Sequence, residues 1–172
     1  MNADSPKTIL IAEDQSLFRE GLKALLADQA DLAVTGEAED GLEAVRQAQE
    51  LKPDLVLMDL SMPKMNGTDA IREIKRRLPG TRVLVLTVAD AERLVAESVR
   101  AGADGYSLKS INRGQLVDAI RAVLEGRAYV CDGIANELVQ RFLDQDFESS
   151  SLDALTRRER QVVAYAAEAH SN

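Results

Sequence analysis

Apolar runs and amphipathic stretches alternate five times between Lys7 and Glu125. The runs TILIA (8–12), LAVTGEA (32–38), LVLM (55–58), RVLVLT (82–87) and GYSLK (105–109) read as strands. The stretches 16–29, 40–51, 67–77, 90–101 and 112–125 carry apolar residues at helical spacing and read as helices. Five strand–helix units joined by short loops predict an α/β fold, a parallel sheet covered by helices on both faces. The run Leu55-Val56-Leu57-Met58 has no polar alternation, which suits a central strand buried on both sides. It delivers Asp59 at its carboxyl end, where ligands sit in open α/β sheets.

Boundary residues support this division. Asp40 with Glu43 has the form of a capping box at the second helix. Pro63 and Asn66-Gly67 punctuate the loop before the third helix, and Gly80, after Pro79, is placed to close that helix. Gly102 closes the fourth, and Ser110 or Asn112 can cap the fifth. After Gly126 the repeat stops. RAYVCDG (127–133) reads as a connector, 134–147 as one more amphipathic helix, and FESSSLD (147–153) as a polar linker. Thr156-Arg157-Arg158-Glu159 is a second capping box, starting a helix that runs toward Ala169. The expected organisation is a domain over 1–125, a linker with one helix over 126–153, and a final helical segment over 154–172.

Composition narrows the class. Only 3% of the 172 residues are aromatic and there is no Trp, so the core must be aliphatic. The net charge of −8 argues against nucleic acid or an anionic membrane as partner of this chain. The single Cys131 excludes an internal disulfide and suits a reducing cytoplasm. The N-terminal MNADSPK lacks a signal-peptide core, and no apolar run approaches membrane length.

Four features converge on one end of the predicted sheet: Glu13-Asp14 after the first strand, Asp59 after the third, Thr87 ending the fourth and Lys109 ending the fifth. Each alone has an ordinary use. Asp14 could cap the first helix, a Thr often ends a strand, and a Lys there is usually solvated. Together at neighbouring strand ends they suggest chemistry. Three crowded carboxylates raise the cost of ionising one another, and a divalent cation relieves that conflict. All-oxygen ligands without His or Cys favour Mg²⁺ over zinc. A Lys and a hydroxyl beside the metal suit a phosphoryl group.

This ordered set resembles the receiver domain of bacterial two-component response regulators. The matching pieces are Glu13-Asp14, the run Asp59-Leu60-Ser61-Met62-Pro63 with Asn66-Gly67, Thr87, and AGADGYSLK (101–109). The resemblance spans residues 7–125 and implies a five-stranded, doubly wound, flavodoxin-like receiver with a C-terminal helical extension. It further implies that Asp59 is the phosphoacceptor for a sensor histidine kinase. Asp14, Asp59 and the Ser61 carbonyl would bind Mg²⁺, with Glu13 acting mainly through water. Thr87 and Lys109 would contact the phosphoryl oxygens, and Tyr106 would be the switch aromatic that turns inward when Thr87 moves. The segment LTRRERQVVAYAAEAHSN (155–172) resembles the opening helix of a LuxR-type helix-turn-helix, as in NarL/FixJ-class regulators. Two departures stand out. Ser110 follows Lys109 where many receivers carry proline, and a cis peptide there would cost a non-proline residue about 2.5–4 kcal/mol. Ser61 and Ala89 occupy positions that tune phosphoryl lifetime in the family.

The resemblance implies a phosphorylation-biased equilibrium that controls dimerisation and transcription, and a receiver that assists its own phosphorylation and dephosphorylation without being a stand-alone enzyme. Two other readings stay open: a docking module indifferent to phosphorylation, and a Mg²⁺-dependent phosphatase. Against the phosphatase stand the missing glycine-rich phosphate loop and the missing second acid two residues after Asp59. A helical wheel turns Phe18, Leu22 and Leu25 of the first helix and Leu116, Ile120 and Val123 of the fifth inward. Leu17, Val117 and Leu124 are then left as an exposed apolar patch for a homodimer. Specific DNA binding is not expected of this chain, because no recognition helix follows the segment 155–172. From Gly126 onward five basic residues stand against eight acids, so phosphate attraction is missing as well.

Overall fold

In the computed structural model, residues 5–88, 92–131, 134–135, 160–161 and 164 are described. The order is β1 (Lys7–Ala12), α1 (Ser16–Leu26), β2 (Leu32–Ala38), α2 (Gly41–Leu51), β3 (Leu55–Asp59), α3 (Gly67–Arg77), β4 (Arg82–Thr87), α4 (Glu92–Ala101), β5 (Gly105–Leu108), α5 (Arg113–Leu124) and β6 (Tyr129–Val130). All strand pairings are parallel, in the sheet order β2-β1-β3-β4-β5-β6. This is the doubly wound flavodoxin-like fold, with one short strand beyond the expected five.

Period-two alternation divides the apolar strand residues between two cores. Leu10, Val56, Met58, Val83 and Val85 point to the side covered by α2, α3 and α4, where Ala48, Ile71, Ile74 and Val99 meet them. Ile9, Ile11, Leu55, Leu57, Leu84 and Leu86 point to the other side, against Leu22 and Leu26 of α1 and Leu116, Ile120 and Val123 of α5. Strands clothed on both faces need no polar alternation, which is why β3 reads as an unbroken apolar run.

Helix ends follow local chemistry, with some departures. Asn66 caps α3 by accepting from the Asp69 N–H at 2.9 Å. Asn112 and Gln115 form a complete capping box at α5. At α2 the Asp40 carboxylate accepts from the Glu43 N–H at 2.8 Å, but the Glu43 side chain reaches the Glu39 N–H instead of that of Asp40. The expected box is therefore half formed. Gly102, at φ +101°, ends α4 as expected. The third helix stops at Arg77, before Pro79 and short of Gly80, because the residue preceding proline leaves the helical region.

The structure departs from the sequence pattern in two places. The stretch 127–133 is more than a connector: Tyr129 and Val130 pair with Gly105 and Tyr106 of β5, and Val130, Ile134 and Ala135 enter the first core. The expected dimer patch does not exist as one surface. Val117 is only 6% exposed and joins Leu116 and Ile120 in the second core, because α5 buries a broad face that also takes in Ala119, Ala122 and Val123. Leu124 is half-buried beside Lys7 and Leu32, at the amino-terminal end of the sheet. Leu17, 87% exposed, lies at the other end, beside Lys109. In α1 the inward pair is Leu22 and Leu26, with Phe18 and Leu25 partly buried. The helix expected over 134–147 and the segment 154–172 fall outside the described residues, apart from buried Ile134 and Ala135 and the helical Arg160, Gln161 and Ala164.

Candidate functional site

Strand register brings the chemistry together. Ala12 of β1 pairs with Met58 of β3, so Glu13 and Asp59 leave the sheet side by side. Asp59 pairs with Leu86, and Thr87 pairs with Leu108, which puts Lys109 one residue beyond β5 at the same level. The Lys109 N–H closes this edge on the Thr87 carbonyl at 2.7 Å. Gly67 keeps the loop after β3 tight. A methyl group on it would fall 2.1 Å from the Asp59 carbonyl oxygen, so no larger residue fits.

Carboxylate oxygens of Glu13, Asp14 and Asp59 lie within 4.8 Å of one another. Glu13 and Asp59 are buried and Asp14 is exposed. Both oxygens of Glu13 are engaged: Oε1 accepts from the Gln15 N–H at 3.0 Å, and Oε2 sits 2.7 Å from the Lys109 ammonium. Asp59 Oδ1 accepts from the Ser61 N–H at 3.2 Å. Asp59 Oδ2 is buried without a hydrogen bond, although the Lys109 Nζ stands 3.3 Å away. Lys109 is thus the ion-pair partner of this oxygen, which keeps lone-pair capacity for a further ligand.

Burial pushes the Asp59 carboxyl above its ordinary range, against the pull of Lys109 and the Ser61 N–H. Glu13 is raised for the same reason, with Lys109 and the Gln15 N–H opposing. Burial would lower the Lys109 ammonium, but Glu13 and Asp59 outweigh it and hold Lys109 above the usual lysine value. Lys109 also lies 4.9 Å above the Phe18 ring. Three acids face one ammonium, and all the donors are oxygens. Among the described residues the acidic cluster offers only oxygen ligands, which fits a hard divalent cation rather than zinc.

The remaining expected residues fall around this cluster. Thr87 is buried, and its hydroxyl is 3.5 Å from the Val88 carbonyl, the outer limit of a hydrogen bond. Tyr106 is fully buried, with its hydroxyl donating to the Ala103 carbonyl at 3.3 Å. Ser61 is exposed beside Asp59. The peptide between Lys109 and Ser110 is trans. Ala89 lies outside the described residues. Sequence reasoning missed Arg19, a buried cation that binds the Glu13 carbonyl. Its signal was available: position 19 lies on the same face as Leu22 and Leu26 of α1.

Residues 9–121 match the response regulator receiver domain as a family. The chain belongs to that family. It is a family of signalling receivers rather than of stand-alone enzymes. The chain is 36% identical over 179 residues to the transcriptional regulatory protein DegU of Brevibacillus brevis, covering 95% of this chain and 76% of that protein. It is 36% identical over 162 residues to the response regulator GacA of Pseudomonas aeruginosa, covering 94% of this chain and 76% of that one. A crystal structure of a LuxR-family two-component response regulator from an Aurantimonas species superposes with a TM-score of 0.75 at 34% identity, over 81% of this chain and 99% of that chain. The receiver domain of a NarL-type regulator from Mycobacterium tuberculosis gives 0.68 at 32% identity, over 72% and 99%. The acidic cluster of this receiver is consistent with the family's phosphoacceptor site.

Proposed function

We propose that this receiver is switched by phosphorylation of Asp59, with the phosphoryl group drawn from the phosphohistidine of a sensor kinase. The carrying observation is Asp59 itself: an anionic oxygen with a free lone pair, buried at a strand end beside a lysine ammonium. That oxygen attacks phosphorus, the new P–O bond forms as the P–N bond to the kinase histidine breaks, and the imidazole leaves with the electron pair. Lys109 turns from Glu13 and Asp59 to a phosphoryl oxygen, and Thr87, weakly held by Val88, donates its hydroxyl to another. Asp14, Asp59 and the Ser61 carbonyl would hold Mg²⁺, with Glu13, whose oxygens accept from the Gln15 N–H and pair with Lys109, acting through water. When bound, the ion neutralises charge on the acids and on the transferring group.

Tyr106 already lies inward, so its role as the switch aromatic would be to be held there once Thr87 is withdrawn. The output is dimerisation, with exposed Leu17 on α1 as the remaining candidate contact, and control of transcription through a LuxR-type DNA-binding domain that begins with 154–172. The receiver would extend from the expected 1–125 through β6 to Ala135, which completes its sheet and first core, with the linker beginning after it. The single cysteine supports a cytoplasmic site of action. Among the described residues no helix is long and apolar enough to cross a membrane. One assay separates this reading from a phosphatase. With acetyl phosphate and Mg²⁺ the protein should take up one phosphoryl group, on Asp59. Sustained turnover of phosphate esters without a stable aspartyl phosphate would contradict it.

A further inference from the structure

Arg19 is buried one turn into α1, where Leu22 and Leu26 enter the core. A cation in such a place requires compensation. Its Nη1 donates to the Glu13 backbone carbonyl at 2.7 Å, its Nε to Glu37 at 3.1 Å and its Nη2 to Glu39 at 2.8 Å. These partners come from three places: the end of β1, the strand β2 and the turn before α2.

The helix that follows the acid pair has no cap of its own. Gln15 at the N-cap makes no side-chain capping bond, and the first turn carries no acid. The loop 13–15 is therefore held by other means. The Glu13 N–H donates to the Ala38 carbonyl at 2.9 Å, the Glu13 carboxylate accepts from Gln15, and Arg19 takes the Glu13 carbonyl. That carbonyl is half of the peptide group joining Glu13 to Asp14. Asp14 is exposed and depends on this peptide for its direction.

We propose that Arg19 is a positioning residue for the Mg²⁺ site: it clamps the Glu13–Asp14 peptide so that Asp14 faces Asp59 before the ion arrives. Glu39, and Glu37 shared with Lys23, offset the guanidinium, so that its charge opposes the cation less. The proposal rests on reading the acidic cluster as a Mg²⁺ site. The planar fork suits the task because it reaches three acceptors in fixed directions, which an ammonium cannot reproduce. Without the clamp, ordering of the loop is charged against metal binding and the affinity falls.

The test is calorimetric titration of the full chain with Mg²⁺, paired with urea unfolding. Arg19→Met should weaken Mg²⁺ binding by about 10–100-fold, as loss of an outer-shell partner does elsewhere. Arg19→Lys should recover part of that loss. Leu22→Ala, which loosens the same helix through the core, should leave the affinity within about twofold of wild type. Unchanged affinity in Arg19→Met, or equal weakening in Leu22→Ala, assigns Arg19 to stability alone and overturns the proposal. Should Arg19→Met fail to fold, Arg19→Gln with Glu37→Gln removes the charge together with one partner and carries the same expectation. A wild type that binds no Mg²⁺ would overturn the metal site itself, and the clamp with it.

Discussion

Replacing Lys109 by methionine keeps most of the side-chain volume and removes one charge from the centre of the acidic cluster. The Lys109 Nζ lies 2.7 Å from Glu13 and 3.3 Å from Asp59. At an effective dielectric of about 20 these contacts correspond to gross attractions of roughly 6 and 5 kcal/mol. Desolvation of the ammonium and both acids cancels much of that sum. Removing one member of a buried ion pair leaves a net loss of about 3–5 kcal/mol. The Phe18 contact contributes only about 0.5–1 kcal/mol, and methionine retains part of it through sulfur–aromatic packing. Charge therefore dominates. With an m-value of about 2 kcal/mol per M in urea, the midpoint at pH 7 should fall by roughly 2 M.

The pH dependence has a definite sign. Glu13 and Asp59 hold their protons more tightly in the fold than in the unfolded chain. Carboxyls raised in this way stabilise the fold below their ordinary range near pH 4, and that contribution is lost as pH rises through the raised values. The Lys109→Met deficit should accordingly be largest at neutral pH and close as the pH approaches about 4. Mg²⁺ should also narrow it, by supplying positive charge to the same acids. Equilibrium urea unfolding at pH 4 and pH 7, with and without Mg²⁺, checks all three points. A deficit below about 1 kcal/mol at pH 7, or one of equal size at both pH values, would refute the electrostatic reasoning.

Further outcomes follow from the same geometry. Asp14→Ala should abolish the rise in melting temperature that Mg²⁺ gives the wild type, a stabilisation of about 2.7 kcal/mol at an ion concentration of 100 Kd. An equal rise in the variant would remove Asp14 from the site. Val117→Asp puts a carboxylate into a position only 6% exposed and should cost more than about 3 kcal/mol, seen as a collapse of the thermal transition by circular dichroism. A variant with wild-type melting and altered dimers would return Val117 to a surface role.

The layers of the fold were legible because each central strand is a short apolar run and each helix carries a periodic stripe. Asp59 and Asp14 were legible because a strand end is a fixed address in a parallel sheet, and β1, β3, β4 and β5 turned out to be neighbours. Strand β6 was not legible. Two residues carry no periodicity, and Tyr129-Val130 gains strand character only from the open edge of β5. Val117 was misplaced because a helical wheel assumes a narrow buried stripe, whereas α5 buries Leu116, Val117, Ala119, Ile120, Ala122 and Val123. Arg19 was overlooked because a charge among apolar residues looks like an exposed position until its partners are in place. Glu37 and Glu39 lie far along the chain and are brought to it only by the pairing of β2 with β1.

The central claim is that Asp59 receives the phosphoryl group. The most direct measurement is to incubate the full chain with acetyl phosphate and Mg²⁺, trap the acyl phosphate with borohydride, and map the modified residue by peptide mass spectrometry. The modification should fall on Asp59, disappear in Asp59→Asn, and require Mg²⁺. A label on another residue, or one that persists unchanged in Asp59→Asn, would contradict it.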